Sequence, residues 1–336
     1  MRNVLLRAWT ILVVERRLPW FVSRRLHWSY WIGLVTQLAF KLVYLTRPVV
    51  SDETSDTEVI TLCGARALTQ YLVAIKTLLF QMPIRAAVTV ISDGSIDSAA
   101  EKVLRAHVRG IRIVGKQAPD LSRYTDVQML LQVRRQYVFS RKILDMPLDV
   151  RERILIFDSD VLVRQPLPSD MFDLSHVKIR FNRDHDHATH DAHFHLVDEY
   201  LRDRVCVTRL HDLNSGFIIL DRCVLDPSVI ESFFGMLFRK GNVHPVSEQD
   251  CFNVLGSLWE SEPLPDTFMV GSRSWERAAR RDAVSLHFIG AVRYRGWSYL
   301  LNGMRCLLLY TWTRQPHMRV DTLREGATRE TEQSTR

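Results

Sequence analysis

The sequence has few cysteines for its length, and none lies in a paired motif. Five cysteines are scattered over 336 residues, and no two of them are separated by only two positions. Structural zinc sites and disulfide frameworks need closely spaced or even-numbered cysteines, so we expect neither. We interpret all five as the reduced thiols of a cytoplasmic protein.

Other common signals are missing as well. The N-terminus lacks an apolar stretch followed by a small-residue cleavage site, so no secretory signal is predicted. No internal repeat is present. Residues 51–336 hold 37 basic and 37 acidic residues, and this balance argues against a nucleic-acid-binding protein. With 46% apolar residues, the composition is that of a globular protein with a sizeable core.

All of the excess positive charge lies in residues 1–50, which hold eight Lys or Arg residues and a single acid, Glu15. A basic, aromatic-rich arm on a neutral domain indicates an anionic membrane surface as its partner. In residues 28–45, Gln37 and Lys41 share one helical stripe and the opposite face is apolar. We interpret this segment as an amphipathic helix lying in the membrane interface. A single membrane span and a helix packed on the domain remain alternatives.

The polar, acidic stretch 48–58 marks the end of the arm. We predict a membrane-associating arm over 1–50, one catalytic domain over 57–315 and a polar, disordered tail over 316–336. Beyond the arm, apolar runs of strand length alternate with helical patterns. This alternation predicts an α/β fold with a parallel, doubly wound sheet, in which ligands bind at the carboxyl ends of the strands. The predicted strands are 59–62, 87–91, 110–114, 153–157 and 215–220, and the predicted helices are 67–81, 97–107, 126–144, 228–239 and 248–258.

The strongest chemical signal is Asp158-Ser159-Asp160, directly after the apolar run 153–157. Residues i and i+2 of a strand project to the same side, so we expect the two carboxylates to lie together. Adjacent carboxylates repel each other unless a cation lies between them. A hard divalent ion such as Mn²⁺ or Mg²⁺ fits this position and can bridge to a diphosphate. The alternative is a turn with two exposed acids.

His287 is the candidate third ligand, since a neutral imidazole can complete a Mn²⁺ site. Gly290 allows the backbone to approach a phosphate closely, and Arg293 and Arg295 can neutralise phosphate oxygens. The alternative is a core histidine beside a basic surface loop.

Two polar stretches complete the set of candidates. Asn214 and Ser215 can hydrogen-bond sugar hydroxyls, and Gly216 admits close contact. Ser247 is a candidate helix N-cap, with Asp250 in a capping-box role. The polar residues that follow Ser247 also suit a hydroxyl-rich ligand.

Taken in order, DSD after an apolar strand, then NSG, EQDCFN and HFIG followed by Arg and Trp, this pattern resembles the retaining family 8 glycosyltransferases. Glycogenin and the bacterial lipopolysaccharide galactosyl- and glucosyltransferases belong to that family. The resemblance covers about residues 59–297. It implies a GT-A (Rossmann-like) fold with a mostly parallel sheet flanked by helices, a UDP-sugar donor, Mn²⁺ and retention at the anomeric carbon.

The resemblance also assigns roles to residues. It implies that Asp158, Asp160 and His287 are the metal ligands. Asn214 would contact the donor sugar. Where the family usually has Asp-Gln, this chain has Glu248 and Gln249. Glu248 would bind sugar hydroxyls, and Gln249 would lie beside the anomeric carbon.

The remaining assignments concern the nucleotide. Gly290 and Arg293 match a phosphate-binding run, which the segment 294–296 interrupts. Lys142 matches a basic position that reaches the donor. The first two strands should place Cys63, Gly64 and Asp93 along the nucleotide pocket, with Ser215 beside the sugar, although Asp93 could also simply cap its turn.

The sequence therefore predicts transfer of a hexosyl unit from a nucleotide-sugar donor to a glycan or lipid-linked acceptor, on the inner face of a membrane. Two alternatives stay open. A nucleotidyltransferase also uses paired carboxylates, and residues 64–66 are a thin version of its glycine-rich loop. A catalytically silent sugar- or membrane-binding relative would account for the altered segment 294–296. The histidine-rich run 184–195 could bind a second metal or shape the acceptor site, but we interpret it as a solvated loop.

Overall fold

The computed structural model describes residues 20–115, 120–184, 194–271, 282–294 and 296–312. The predicted tail and residues 185–193 of the histidine-rich run lie outside these ranges. Within them, a mostly parallel sheet is flanked by helices on both faces. The α/β fold class expected from the sequence is confirmed.

The central sheet of the described residues has seven strands in the order β10-β8-β9-β6-β2-β3-β5. All of them run parallel except β9, which is antiparallel to both β6 and β8. A smaller sheet joins β11, β12 and β7, and β1 pairs with β4. The strands are β1 Val49–Val50, β2 Thr57–Cys63, β3 Ala87–Ser92, β4 Val108–Arg109, β5 Arg112–Val114, β6 Arg153–Phe157, β7 Val161–Val163, β8 Ile179–Arg183, β9 Leu213–Asp221, β10 Ser261–Pro263, β11 Phe268–Val270 and β12 Ser285–His287.

Several helices begin where the sequence offers an N-cap. Asp97 accepts a hydrogen bond from the backbone N–H of Ala100 at 2.8 Å, which confirms the predicted start of α3. Asp126 and Asp226 cap α4 and α7 in the same way and so satisfy N–H groups that the first turn leaves open. The α-helices are α1 Trp20–Phe40, α2 Leu68–Gln81, α3 Ser98–His107, α4 Val127–Gln136, α5 Arg141–Leu144, α6 Phe194–Leu201, α7 Pro227–Arg239, α8 Ser247–Leu258 and α9 Ser298–Trp312.

The single helix predicted over 126–144 is wrong. The chain leaves the helix at Tyr137, whose φ of −128° and ψ of 101° are extended, and continues through a 3₁₀ turn, Val138–Ser140, into α5. In an unbroken helix, Arg134 and Asp145 would be about 16 Å apart along the axis. The break lets the guanidinium of Arg134 make two hydrogen bonds to the Asp145 carboxylate, at 2.5 and 2.6 Å.

The core forms on both faces of the sheet because side chains alternate along each strand. Val59 and Leu155 belong to one hydrophobic cluster, while their neighbours Ile60 and Ile156 belong to the other. A strand buried on both faces needs continuous apolar sequence, which explains why the run 153–157 was so clear a prediction.

The arm contributes to the first of these clusters through Phe40 and Val43. Helix α1 packs on α9 and α2, with Gly33 and Thr36 turned inward and the apolar face of the helix turned outward. Packing on the domain is thus the alternative that the structure displays, while contact with a membrane and the division into arm, domain and tail stay predictions. Among the residues described, no helix combines the length and the apolar character needed to cross a bilayer.

Candidate active site

The two aspartates of the DSD motif lie directly after the predicted strand, in a turn between β6 and β7, so their proximity comes from this turn and not from the alternation of side chains along a strand. The backbone N–H of Val161 donates to the carbonyl of Asp158 at 3.2 Å, and the N–H of Asp158 donates to the carbonyl of Gly216 at 2.9 Å. The turn still directs both carboxylates toward one point, because a third side chain meets them there.

That third side chain is His287, on the neighbouring strand of the small sheet. Strand β12 is antiparallel to β7 and places His287 opposite Val161. Its Nε2 is 3.1 Å from Oδ1 of Asp160 and 3.8 Å from Oδ2 of Asp158. One potential ligand atom from each of the three residues lies within 4.8 Å of the others. The sequence prediction that these residues converge therefore holds.

The orientation of the imidazole suits a metal ligand. Nδ1 of His287 lies 2.8 Å from Oδ1 of Asn214, so Nδ1 carries a proton and Nε2 is the nitrogen directed toward the carboxylates. Metal-binding histidines are commonly fixed by such a second hydrogen bond. Two carboxylates and one imidazole are donors that Mn²⁺ accepts.

The buried group is held together electrostatically even without an ion. Burial alone would lower the pKa of His287, but the adjacent Asp160 and then Asp158 outweigh it, and the pKa is raised. Burial alone would likewise raise the pKa of Asp160, but His287 and Arg293 hold it below its ordinary value. A proton on His287 thus offsets the clustered negative charge, and a divalent ion would do the same more strongly.

Gly216 is required by His287, which packs against its backbone. The sequence had suggested a close contact with a sugar at this glycine, and that contact stays a prediction. A Cβ atom on Gly216 would lie 2.0 Å from Cε1 of His287. The imidazole therefore lies flat against the backbone of β9, a position that only glycine permits.

The buried ammonium group of Lys142 joins Asp158 to Glu248 of α8. Nζ of Lys142 is 2.8 Å from Oδ1 of Asp158 and 2.9 Å from Oε1 of Glu248. The hydroxyl of Ser215 also donates to Oε1 of Glu248, at 2.6 Å. Burial opposes the charge on Lys142, yet the two carboxylates outweigh burial and raise its pKa, so the lysine stays protonated.

Gln249 follows Glu248 in α8 and contacts the start of β9. Its Oε1 accepts from the backbone N–H of Ser215 at 3.3 Å and from Nδ2 of Asn214 at 3.5 Å. Asn214 and Ser215 lie within β9 and not ahead of it, because the strand begins at Leu213. The polar start of α8 and the polar start of β9 thereby face each other.

The predicted N-cap at Ser247 is wrong. Ser247 is the first residue of α8, and its Oγ accepts from the backbone N–H of His244 at 2.9 Å. Asp250 approaches Nε2 of His244 at 3.1 Å and takes no capping-box role toward Ser247. The polar residues here follow tertiary contacts, which a local capping pattern does not contain.

The opposite side of the cleft is formed by the ends of β2 and β3. The backbone N–H of Asp93 donates to the carbonyl of Cys63, and its Oδ1 accepts from the N–H of Ser95 at 2.8 Å. Asp93 therefore caps its turn and also lines the cleft. Burial and the nearby Asp93 carboxylate raise the pKa of Cys63. Its thiol is therefore uncharged where it lines the cleft.

A 3₁₀ turn, Gly290–Tyr294, closes the cleft above His287. Gly290 has a φ of +51°, which favours glycine. Nη1 of Arg293 lies 3.6 Å from Oδ2 of Asp160 and donates to Oε1 of Gln70 at 3.1 Å. The guanidinium thus faces the candidate metal ligands.

Thirteen of the residues proposed from the sequence line one cleft of about 440 Å³. Gly216 supports that cleft from below His287, and Arg295 lies outside the described residues. Asp184 begins the histidine-rich run that we interpreted as a solvated loop, but the structure buries this acid, and its Oδ2 accepts from Nδ2 of Asn214 at 3.5 Å. It directly follows β8, a strand that was not predicted, and recognition of that strand would have drawn attention to it. The sequence analysis did not identify several apolar residues that line the cleft, among them Val138, Phe139, Pro245, Val246 and Ile289.

Fold and site together define an α/β protein with an acidic, histidine-containing cleft at the carboxyl ends of its central strands. Neither a protein-family model nor a curated protein sequence matches the chain. Solved structures do match. The galactosyltransferase LgtC, in complex with donor and acceptor sugar analogues, has a TM-score of 0.49 and 14% identity over 78% of this chain and 99% of its own.

Two further matches are glycosyltransferases. The mannosyltransferase Ktr4p from S. cerevisiae has a TM-score of 0.48 and 11% identity, over 84% of this chain and 92% of its own. Mouse xyloside xylosyltransferase 1 has a TM-score of 0.42 and 15% identity, over 71% and 97%. At these values the similarities concern chain architecture and assign no activity to this protein.

Proposed function

We propose that this chain is a metal-dependent glycosyltransferase that moves a hexosyl unit from a nucleotide-diphosphate sugar, UDP-linked, to a glycan or lipid-linked acceptor. One observation carries the proposal: Asp158, Asp160 and His287 converge beside a basic residue, Arg293, and across from the polar pair Glu248 and Gln249, all in one cleft. This combination offers a place for a cation, for a diphosphate and for sugar hydroxyls.

Asp158, Asp160 and His287 would hold Mn²⁺ or Mg²⁺, and the ion supplies charge neutralisation to a departing diphosphate. The chain's own residues do the rest. Arg293 is close enough to Asp160 to exchange that carboxylate for a phosphate oxygen. Gly290 gives the backbone room beside it. Cys63 and Gly64 end the strand against which the nucleoside would lie.

Glu248 is proposed to accept hydrogen bonds from hydroxyls of the donor sugar. Its carboxylate is fixed by Lys142 and Ser215, and a fixed acceptor orients a ligand better than a mobile one. Lys142 balances the charge of the two acids between which it lies. Gln249, held through Asn214 and Ser215, would lie beside the anomeric carbon.

Retention of anomeric configuration is proposed on the family resemblance alone. Gln249 carries an uncharged amide, which is a poor nucleophile, so we favour attack of the acceptor hydroxyl on the face from which the diphosphate leaves. Analysis of the first-formed product anomer by NMR tests this separately, since an inverted product would rule it out.

The membrane is the proposed partner of residues 1–50, with the protein peripheral on the cytoplasmic face. The support is the charge of the arm, eight basic residues against one acid. A lipid-linked acceptor would then be met at the same surface.

The test is release of UDP from a panel of nucleotide sugars, with Mn²⁺ and with chelator. We expect slow, metal-dependent release from one donor, loss of it in Asp160→Asn, and no loss in Asp149→Asn, a control acid that pairs with Arg112 at the surface. Release of pyrophosphate from a nucleoside triphosphate and a sugar phosphate would favour a nucleotidyltransferase instead. Folded protein that neither binds nor cleaves any donor would indicate the silent relative.

A further inference from the structure

Two helices from opposite ends of the described chain lie side by side on the same support. Helices α1 and α9 pack on each other and both pack on α2. The contact is close, because a Cβ atom on Gly303 of α9 would lie 2.4 Å from Cζ of Phe40. Trp28 of α1 and Trp297, just before α9, also meet edge to face with ring centroids 6.1 Å apart.

Each helix turns an apolar stripe away from α2. The exposed large side chains of the first stripe are Trp28, Trp31, Val35, Leu38, Leu42 and Leu45. Those of the second stripe are Leu301, Leu308, Leu309 and Trp312. Spacings of three and four residues keep the first set on one helical face, which continues from α1 through the 3₁₀ helix Lys41–Leu45. In the second set, Leu308 follows Leu301 by seven residues and precedes Trp312 by four, with Leu309 beside them. Because α1 and α9 also pack on each other, the two stripes lie on adjoining helices, with Trp28 and Trp297 in contact between them. We call the surface made by the two stripes the helical platform.

The exposure on the platform is unusual for apolar residues. Trp312 is 86% exposed and Leu45 is 83% exposed. Soluble proteins rarely display a continuous apolar face unless it contacts something. Tryptophan and leucine at the edge of such a face are typical of proteins that lie in the headgroup region of a bilayer.

The charges around the helical platform indicate what kind of partner it binds. Neither α1, the segment 41–51 nor α9 contains a single Asp or Glu residue, while Lys41 and Arg305 are exposed along the two stripes. An apolar face flanked only by positive charge complements an anionic lipid surface. Two copies of the same positive face would repel each other, which disfavours self-association.

We infer that the helical platform, with α9 as well as α1, binds the surface of an anionic bilayer. This inference rests on the proposed membrane partnership of the arm and adds a second helix to it. An amphipathic pair buries roughly twice the apolar area of a single helix, and interfacial affinity scales with that area. The arm is therefore only half of the docking surface.

The test is cosedimentation of the full chain with vesicles of phosphatidylcholine alone or with added phosphatidylglycerol. We expect binding only to the anionic vesicles and a loss of about tenfold or more in the variant Leu308→Glu/Trp312→Glu, whose arm is intact. The matched control is Val205→Glu/Val207→Glu, at residues 95% and 54% exposed outside the platform, which should bind like the wild type. Unchanged thermal melting shows that the variants are folded.

Three results would overturn the inference: equal vesicle binding by the α9 variant, equal binding to uncharged vesicles, or a dimer in light scattering that only the α9 variant dissociates. Release of UDP from a water-soluble donor should be unaffected by the α9 variant. If neither the wild type nor the variants release UDP, the proposed function fails and the platform is not affected. If all of them release UDP but the wild type does not bind anionic vesicles, the platform fails and the proposed function is not affected.

Discussion

The imidazole of His287 lies so close to Gly216 that one methyl group would displace it. We predict that Gly216→Ala weakens Mn²⁺ binding by about 10–100-fold, the range seen when the support of a metal ligand is lost. Isothermal titration with Mn²⁺ measures this. Gly235→Ala is the control, since its Cβ would meet only the ends of two long side chains, at 3.4 Å or more. Equal affinity in both variants would show that His287 is not a ligand.

Lys142 is the second residue with a sharp expected phenotype. Lys142→Met leaves Asp158 and Glu248 facing each other without a cation, and unpaired buried charge costs about 3–5 kcal/mol. We expect the free energy of unfolding in urea to fall by that order. The double variant Lys142→Met/Glu248→Gln should recover part of the loss, because one of the stranded charges is gone. No recovery would mean that Lys142 acts through packing and not through charge.

At this scale the sequence predicted the composition of the cleft well, because chemically distinctive residues follow strands. It did not predict why each residue is needed. Gly216 serves His287, and Ser247 bonds to His244; both facts depend on contacts between segments that are far apart in sequence. The burial of Asp184 was not predicted because its strand was not recognised.

Among the elements, the end of the arm is fastened to the domain by one buried lysine. Nζ of Lys76 in α2 donates to Oγ1 of Thr46 at 2.9 Å and to the carbonyl of Arg47 at 2.5 Å, and it lies 3.2 Å from Nδ1 of His107. Burial lowers the pKa of Lys76 from 10.5 to about 8.

This shift predicts a pH dependence of stability. Between about pH 8 and 10.5, the unfolded chain holds this proton more firmly than the folded chain, so the contribution of Lys76 to stability rises with pH. The free energy of unfolding of the wild type should therefore increase relative to that of Lys76→Met as pH is raised through this window. Chemical denaturation of both proteins at several pH values measures the difference. A constant difference would show that the lysine is not shifted.

Element boundaries were predictable where burial imposes a pattern, and not where a long-range contact does. The bounds of β6 were predicted correctly because a short, continuous apolar run is typical of a strand buried on both faces. The break at Tyr137 has no proline or glycine to announce it; it follows from the ion pair between Arg134 and Asp145. The direction of β9, antiparallel to β6 and β8, was not predicted, since direction is set by connections that a local pattern does not contain.

For the whole molecule, the site predicts a link between ion binding and stability. An ion that binds only the folded chain stabilises it by about 2.7 kcal/mol when its free concentration is about 100 times Kd. We expect Mn²⁺ to raise the melting temperature, chelator to reverse the effect, and Asp160→Asn to abolish it. Differential scanning fluorimetry suffices. A melting temperature that ignores Mn²⁺ in the wild type would argue against the site.

The packing of α1 against the turn Gly290–Tyr294 has a mechanical consequence. The ring of Tyr294 lies against α1 at Gly33, with its Cδ1 3.4 Å from where a Cβ would be. The neighbouring Arg293 faces Asp160. We therefore expect a change in the tilt of α1 to displace the turn Gly290–Tyr294, which forms the roof of the cleft. A chain cut after residue 50 would lose that roof support, and its turnover would report the damage and not the role of the arm.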